Sequence, residues 1–288
     1  MSKVISKERK EEIVSYYKSK PMTIDELSEK FLICRPTIIK ILNQYRIKRY
    51  TKSQLFSPNL DEGYFSVINT EEKAYFLGLI ITDGCIFTTK GKSPMLAISL
   101  QDKDSYILEI LKNELHSNKK ITTDGRGCSE LQIYSKKIVD SLRQYGITER
   151  KSLYTILPTN VPKEFHKDLI RGILDGDGSV SFYARKNRSC HTKAVRFCQG
   201  NEKFLTDLVD MLYEECGAEK ISTYKEKESL WSIAYRKNES VVKIINYLYS
   251  DSSIYLTRKK NICDLICKEI EKYGNTEITT DSKKSIVS

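Results

Sequence analysis

Apolar residues along this 288-residue chain are spaced first for short helices and then for a helix-and-hairpin unit that occurs twice. Between Lys7 and Lys18, Ile13, Val14, Tyr16 and Tyr17 mark a helix that Pro21 stops. Thr23 with Glu26 three residues later is a capping-box pattern, and Leu27 and Phe31 give the second helix its apolar stripe. A Leu32-Ile-Cys-Arg35 turn leads to a third helix from Pro36, a favoured first-turn residue, with Ile38, Ile39, Ile41 and Leu42 available for a core. The basic run Ile47-Lys-Arg-Tyr-Thr-Lys52 follows, then a polar stretch with Ser57-Pro58 and Asp61-Glu-Gly63 that reads as a linker.

From about residue 70 the pattern repeats itself. Phe76-Leu-Gly-Leu-Ile-Ile-Thr-Asp-Gly84 and Ile170-Arg-Gly-Ile-Leu-Asp-Gly-Asp-Gly178 are apolar helical runs with glycine in third place and Asp-Gly at the end. Cys85 to Thr88 and Met95 to Leu100 flank a Lys90-Gly-Lys92 turn as hairpin strands do; Ser179 to Arg185 and Ala194 to Cys198 repeat the arrangement. Gln101 and Gln199 each open a helical segment, and a strand and a helix follow in both copies. The expected fold class is α+β with antiparallel sheets. The expected divisions are a helical domain at 1–50, a linker at 51–69, subdomains at 70–157 and 158–270, and a polar, disordered tail at 271–288.

Gly78 and Thr82 lie one turn apart on the first motif helix, as do Gly172 and Gly176 on the second. Small residues on one face let two helix backbones approach closely, which would bring Asp83 and Asp177 together at the C-terminal ends. Alone, that pairing is unfavourable, because the carboxylates repel and each sits at the negative end of a helix dipole. A divalent cation removes both objections, since hard cations take carboxylate and carbonyl oxygens. Paired carboxylates in a basic protein point to metal-assisted phosphodiester hydrolysis.

Charge supports a polyanionic partner. The net charge is +10, and residues 1–52 hold 13 Lys+Arg against 6 Asp+Glu, so +7 of it lies at that end. No apolar run approaches the ~20 residues of a membrane span, and Met1 to Lys7 lacks a signal-peptide core, so a cytoplasmic, DNA-associated protein is expected. The eight cysteines are scattered without a Cys-x-x-Cys pair, which suits reduced, packed thiols. His116, His166 and His191 are dispersed, so no His-Asn-His nuclease cluster is visible.

The two motifs with their flanking elements resemble the LAGLIDADG homing endonucleases, in the single-chain form that carries both copies. The resemblance spans roughly residues 70–270 and implies αββαββα subdomains whose sheets form a DNA-facing saddle. It implies Mg²⁺, as two or more ions, bound by Asp83 and Asp177 with the main-chain carbonyls of Thr82 and Gly176. It further places Gln101 and Gln199 near the attacking water, and Lys151 and Lys259, each preceded by arginine, in the active site. Asp175, at the earlier acidic position, reads as helix-end structure. The implied activity is double-strand DNA cleavage leaving 3′ overhangs, by a monomer with no membrane association. A transcription regulator, or a maturase acting on its own intron RNA, would use the same scaffold.

The N-terminal helices resemble a helix-turn-helix, with Leu32 where a turn glycine is usual. That resemblance nominates Arg35, Thr37, Lys40 and Gln44 for the major groove, and Lys48 and Arg49 as a basic arm or a plain tether. On the hairpins, Lys90, Lys92, Tyr183, Arg185, Arg188 and Arg196 are the candidate DNA contacts.

Overall fold

The computed structural model describes residues 5–50, 54–55, 57–149, 154–184 and 191–284. The chain divides into two compact units, residues 1–61 with 112–120, and residues 62–111 with 121–288.

In the first unit, α1 (Lys7–Ser19), α2 (Ile24–Phe31) and α3 (Arg35–Gln44) close around Ile13, Val14, Tyr17, Leu27, Phe31, Ile38, Ile41 and Leu42. The capping box at α2 forms: Glu26 N–H donates to Thr23 Oγ1 (3.1 Å) and Thr23 N–H to the Glu26 carboxylate (2.7 Å). Leu32 makes the turn by itself taking the left-handed conformation, φ 54° and ψ 42°, a region that favours glycine. Its side chain is 92% exposed, so the leucine gains no packing in return. Residues 46–50 are not a loose tether. Tyr50 N–H donates to Tyr17 Oη (3.0 Å), and Tyr50 Oη donates to the Tyr17 carbonyl (3.2 Å).

The duplication lies in the second unit, apart from residues 112–120, which fall in the first. The first copy runs α4 (Glu71–Asp83), β1 (Gly84–Phe87), β2 (Met95–Gln101), α5 (Tyr106–Glu114), β3 (Thr122–Thr123), β4 (Cys128–Tyr134) and α6 (Lys136–Arg143). The second runs α7 (His166–Gly176), β5 (Ser179–Ala184), β6 (His191–Gln199), α8 (Glu202–Cys216), β7 (Tyr224–Lys227), β8 (Leu230–Tyr235) and α9 (Asn238–Tyr249). Both sheets are antiparallel with one order, β1-β2-β4-β3 and β5-β6-β8-β7. Apolar residues alternate inward, as Leu96, Ile98 and Leu100 do on β2, while Ser99 and Gln101 face outward.

Gln101 ends β2 and caps the short 3-10 turn Asp102–Asp104 that leads into α5, whereas Gln199 ends β6 two residues before Asn201 caps α8. A final helix, α10 (Thr257–Lys284), runs into the segment expected as a tail, whose residues 285–288 lie outside the described ones. Cys263 and Ile266 are buried on its first turns.

Candidate active site

The motif helices α4 and α7 meet through their backbones. A Cβ on Gly78 would lie 2.1 Å from the Leu169 carbonyl oxygen, and one on Gly172 would lie 2.1 Å from that of Tyr75. No side chain fits there, which fixes the helix spacing and relates the two copies by the same contact in both directions. One turn on, a Cβ on Gly176 would lie 1.8 Å from Thr82 Oγ1 and 2.8 Å from Asp83 Oδ2. The Asp83 carboxylate therefore lies against the end of α7, one residue before Asp177. Asp83 is half-buried and Asp177 exposed.

Lys259, expected in the active site, lies at the end of the second motif helix. Its ammonium is buried in the end of α7, donating to the carbonyls of Leu174 (2.6 Å), Asp175 (2.7 Å) and Gly178 (2.7 Å). The Gly176 carbonyl, an expected metal ligand, is the most distant of this group at 3.5 Å. Burial pulls the Lys259 ammonium down to about 8, opposed by the carboxylates of Asp175, Asp83 and Asp104. The physical reason for the position is the helix dipole: a cation satisfies terminal carbonyls that would otherwise add to the carboxylates' negative potential. The neighbouring Arg258 is held by Asp104 (2.8 Å).

Asp175 is structural, as expected. Its carboxylate accepts from Leu256 N–H (2.7 Å), Tyr75 Oη (2.9 Å) and Tyr249 Oη (3.3 Å). Burial raises its pKa, and burial followed by the Asp175 charge raises those of Tyr75 and Tyr249. Above it sits a group the sequence reading passed over. The fully buried Arg171 guanidinium donates to Glu71 (2.6 Å), Asp168 (2.8 Å) and the carbonyls of Leu248 and Ile254 (both 2.8 Å). It joins the start of α4 to α7. An arginine inside an apolar motif run was the available signal, since such a charge is rarely buried without partners.

The two glutamines are not equivalent. Gln101 is exposed, whereas Gln199 is 6% exposed with its Oε1 accepting Gly200 N–H (2.8 Å). Of the hairpin candidates, Lys90, Lys92 and Tyr183 are exposed, but Arg196 is engaged by Glu226 and by Ser232 Oγ (3.2 Å). On α3, Lys40 and Gln44 are exposed, Thr37 is half-buried beside Cys34 Sγ (3.1 Å), and Arg35 pairs with Asp25 (2.8 Å). Lys48 and Arg49 are exposed. Lys151, Arg185 and Arg188 lie outside the described residues.

Among the described residues, no group of three His, Cys, Asp or Glu side chains converges to form an all-protein metal cage. The seam offers a different donor set: the carboxylates of Asp83 and Asp177 and nearby main-chain oxygens. Such an oxygen-only set fits a hard cation that completes its shell with water and phosphate.

This fold is that of the LAGLIDADG homing endonucleases, with both domains in a single chain. A structure of the LAGLIDADG meganuclease I-AabMI bound to uncleaved DNA superposes with a TM-score of 0.51 at 15% identity, covering 70% of this chain and 91% of that one. The LAGLIDADG homing endonuclease I-GzeII in complex with its DNA target gives 0.52 at 17% identity, covering 74% and 95%. I-SmaMI bound to cleaved DNA gives 0.52 at 14% identity, covering 73% and 92%. By sequence, 179 residues, 60% of this chain, are 25% identical to a DNA-directed RNA polymerase subunit Rpo1C of Methanocaldococcus jannaschii. The match spans only 19% of that subunit's length. No family model matches the sequence.

Proposed function

We propose that this chain is a site-specific, Mg²⁺-dependent double-strand DNA endonuclease that leaves 3′ overhangs. The observation that carries the reading is the Gly176 seam, where the Asp83 carboxylate lies against the helix end preceding Asp177. The fold shared with proteins crystallised on DNA supports the choice of substrate.

Asp83 and Asp177, with the carbonyls of Thr82 and Gly176, would hold the Mg²⁺. Bound there, the ion supplies stabilisation of negative charge on the phosphate and the leaving oxygen. The chain's own residues do the rest. Lys259 holds a positive charge inside the helix end and so lowers the cost of bringing two carboxylates together. Gln101, outward on β2, can orient a water by accepting and donating at once. In the hydrolysis, the water oxygen bonds to phosphorus as the P–O3′ bond breaks, and the water's proton passes through solvent to the 3′ oxygen. The products are a 5′-phosphate and a 3′-hydroxyl.

The first unit adds affinity as a helix-turn-helix. Thr37, Lys40 and Gln44, at i, i+3 and i+7, share one face of α3 and would enter a major groove. One chain carries both acidic helix ends, so a monomer suffices.

The test is incubation of the purified chain with a plasmid library of randomised targets, with Mg²⁺ or with EDTA. Linearised plasmids sharing one sequence, in the Mg²⁺ arm only, are expected. Selective binding to one sequence without any cut would instead favour a DNA-binding regulator.

A further inference from the structure

We propose that the two halves of this site cut unequally, the half carrying Gln101 being the faster, so that one DNA strand is nicked before the other. The inference rests on the endonuclease reading and adds an order to the two strands.

The strand registers carry it. Cys85 and Ser179 each stand two residues past the motif aspartate; Cys85 pairs with Ala97 and Ser179 with Arg196. Ala97 and Arg196 are therefore equivalent positions. Gln101 lies four residues beyond Ala97, but Gln199 lies only three beyond Arg196. Side chains alternate along a strand, so an even offset keeps a residue on the same face and an odd one turns it over. Burial agrees, Gln101 being exposed and Gln199 6% exposed. The residue of the second copy that matches Gln101 in register is Gly200, which has no side chain.

Only the first half thus carries a carboxamide on the outer face at this level. Ile98 pairs with Gly84, and Gln101 stands three residues further along β2. That is about 10 Å along the strand, past the start of β1, which follows Asp83 directly. A carboxamide there can hold a water in one orientation without itself titrating. Fixing a nucleophile's position is worth orders of magnitude in rate. The second half, with Gly200, leaves its water to solvent.

The experiment uses a supercoiled plasmid carrying a target recovered from the library, with enzyme in excess, Mg²⁺ present and each strand followed separately. The nicked circle should accumulate, one strand being cut on the order of tenfold faster than the other. Gln101→Ala should slow that strand alone and bring the two rates together. Gln101→Met, which keeps the side chain's length but not its hydrogen bonds, should do the same. Equal rates in the wild type, or a Gln101 variant that slows both strands alike, would overturn the inference while leaving the endonuclease reading in place. A chain that cuts no target would overturn both.

Discussion

Gly78 and Gly172 press their helices together so closely that a methyl on either would meet a carbonyl oxygen of the other helix at 2.1 Å. Everything at the acidic end depends on that spacing. Gly78→Ala and Gly172→Ala should each destabilise the protein by about 3 kcal/mol, since backbone cannot move aside as a side chain does. Urea unfolding measures this, and the two variants should behave alike because the contact is reciprocal.

Asp175 offers a sharper test of the network beneath the site. Three donors converge on its carboxylate. Asp175→Asn places an amide donor among donors and should cost about 2 kcal/mol by leaving a buried group unpaired. Asp175→Ala, which removes the acceptor from all three donors, should cost more in the same unfolding assay.

How much of this was legible in the chain follows from where each signal is stored. Helical spacing is local, so Gly78, Gly172 and the Asp-Gly ends could be read directly. Strand register is stored in pairings across the sheet, and the adjacent glutamine-like positions of the two copies looked matched until Cys85 and Ser179 fixed the offset. Lys259 reads as an active-site group only through the family resemblance, since an Arg-Lys pair by itself is an ordinary surface feature. Only the fold shows it filling the end of α7. Arg171 and Glu71 are 100 residues apart, and nothing local pairs them.

Leu32 should be improvable. It holds φ 54° with its side chain 92% exposed, so Leu32→Gly gives up no buried contact and relieves left-handed strain. A gain of about 1 kcal/mol is expected, seen as slower hydrogen exchange in α2 and α3.

Glu149 predicts the acid limb of stability. Hydrogen bonds from Thr88, from its own main chain and from Arg143 hold its carboxyl at about 2, below the ordinary 4.5. A depressed carboxyl pKa contributes stability above the unfolded value, lost as pH falls from about 4.5 to about 2. Because the group is 39% exposed, the contribution should stay below about 1 kcal/mol. Glu149→Gln should remove that part of the pH dependence in acid unfolding and leave the rest unchanged.

Lys40 reports whether the first unit touches DNA. If its ammonium neutralises a phosphate, Lys40→Ala should weaken binding and reduce the slope of log affinity against log salt by about 1. An unchanged slope would remove Lys40 from the interface.

The most direct test of the shared acidic site is strand cleavage of a recovered target in Mg²⁺ by the wild type, Asp83→Asn and Asp177→Asn, with DNA binding measured alongside. Both variants should still bind the target, and neither should produce a double-strand break. A double-strand break made by either variant at the wild-type rate would contradict the account.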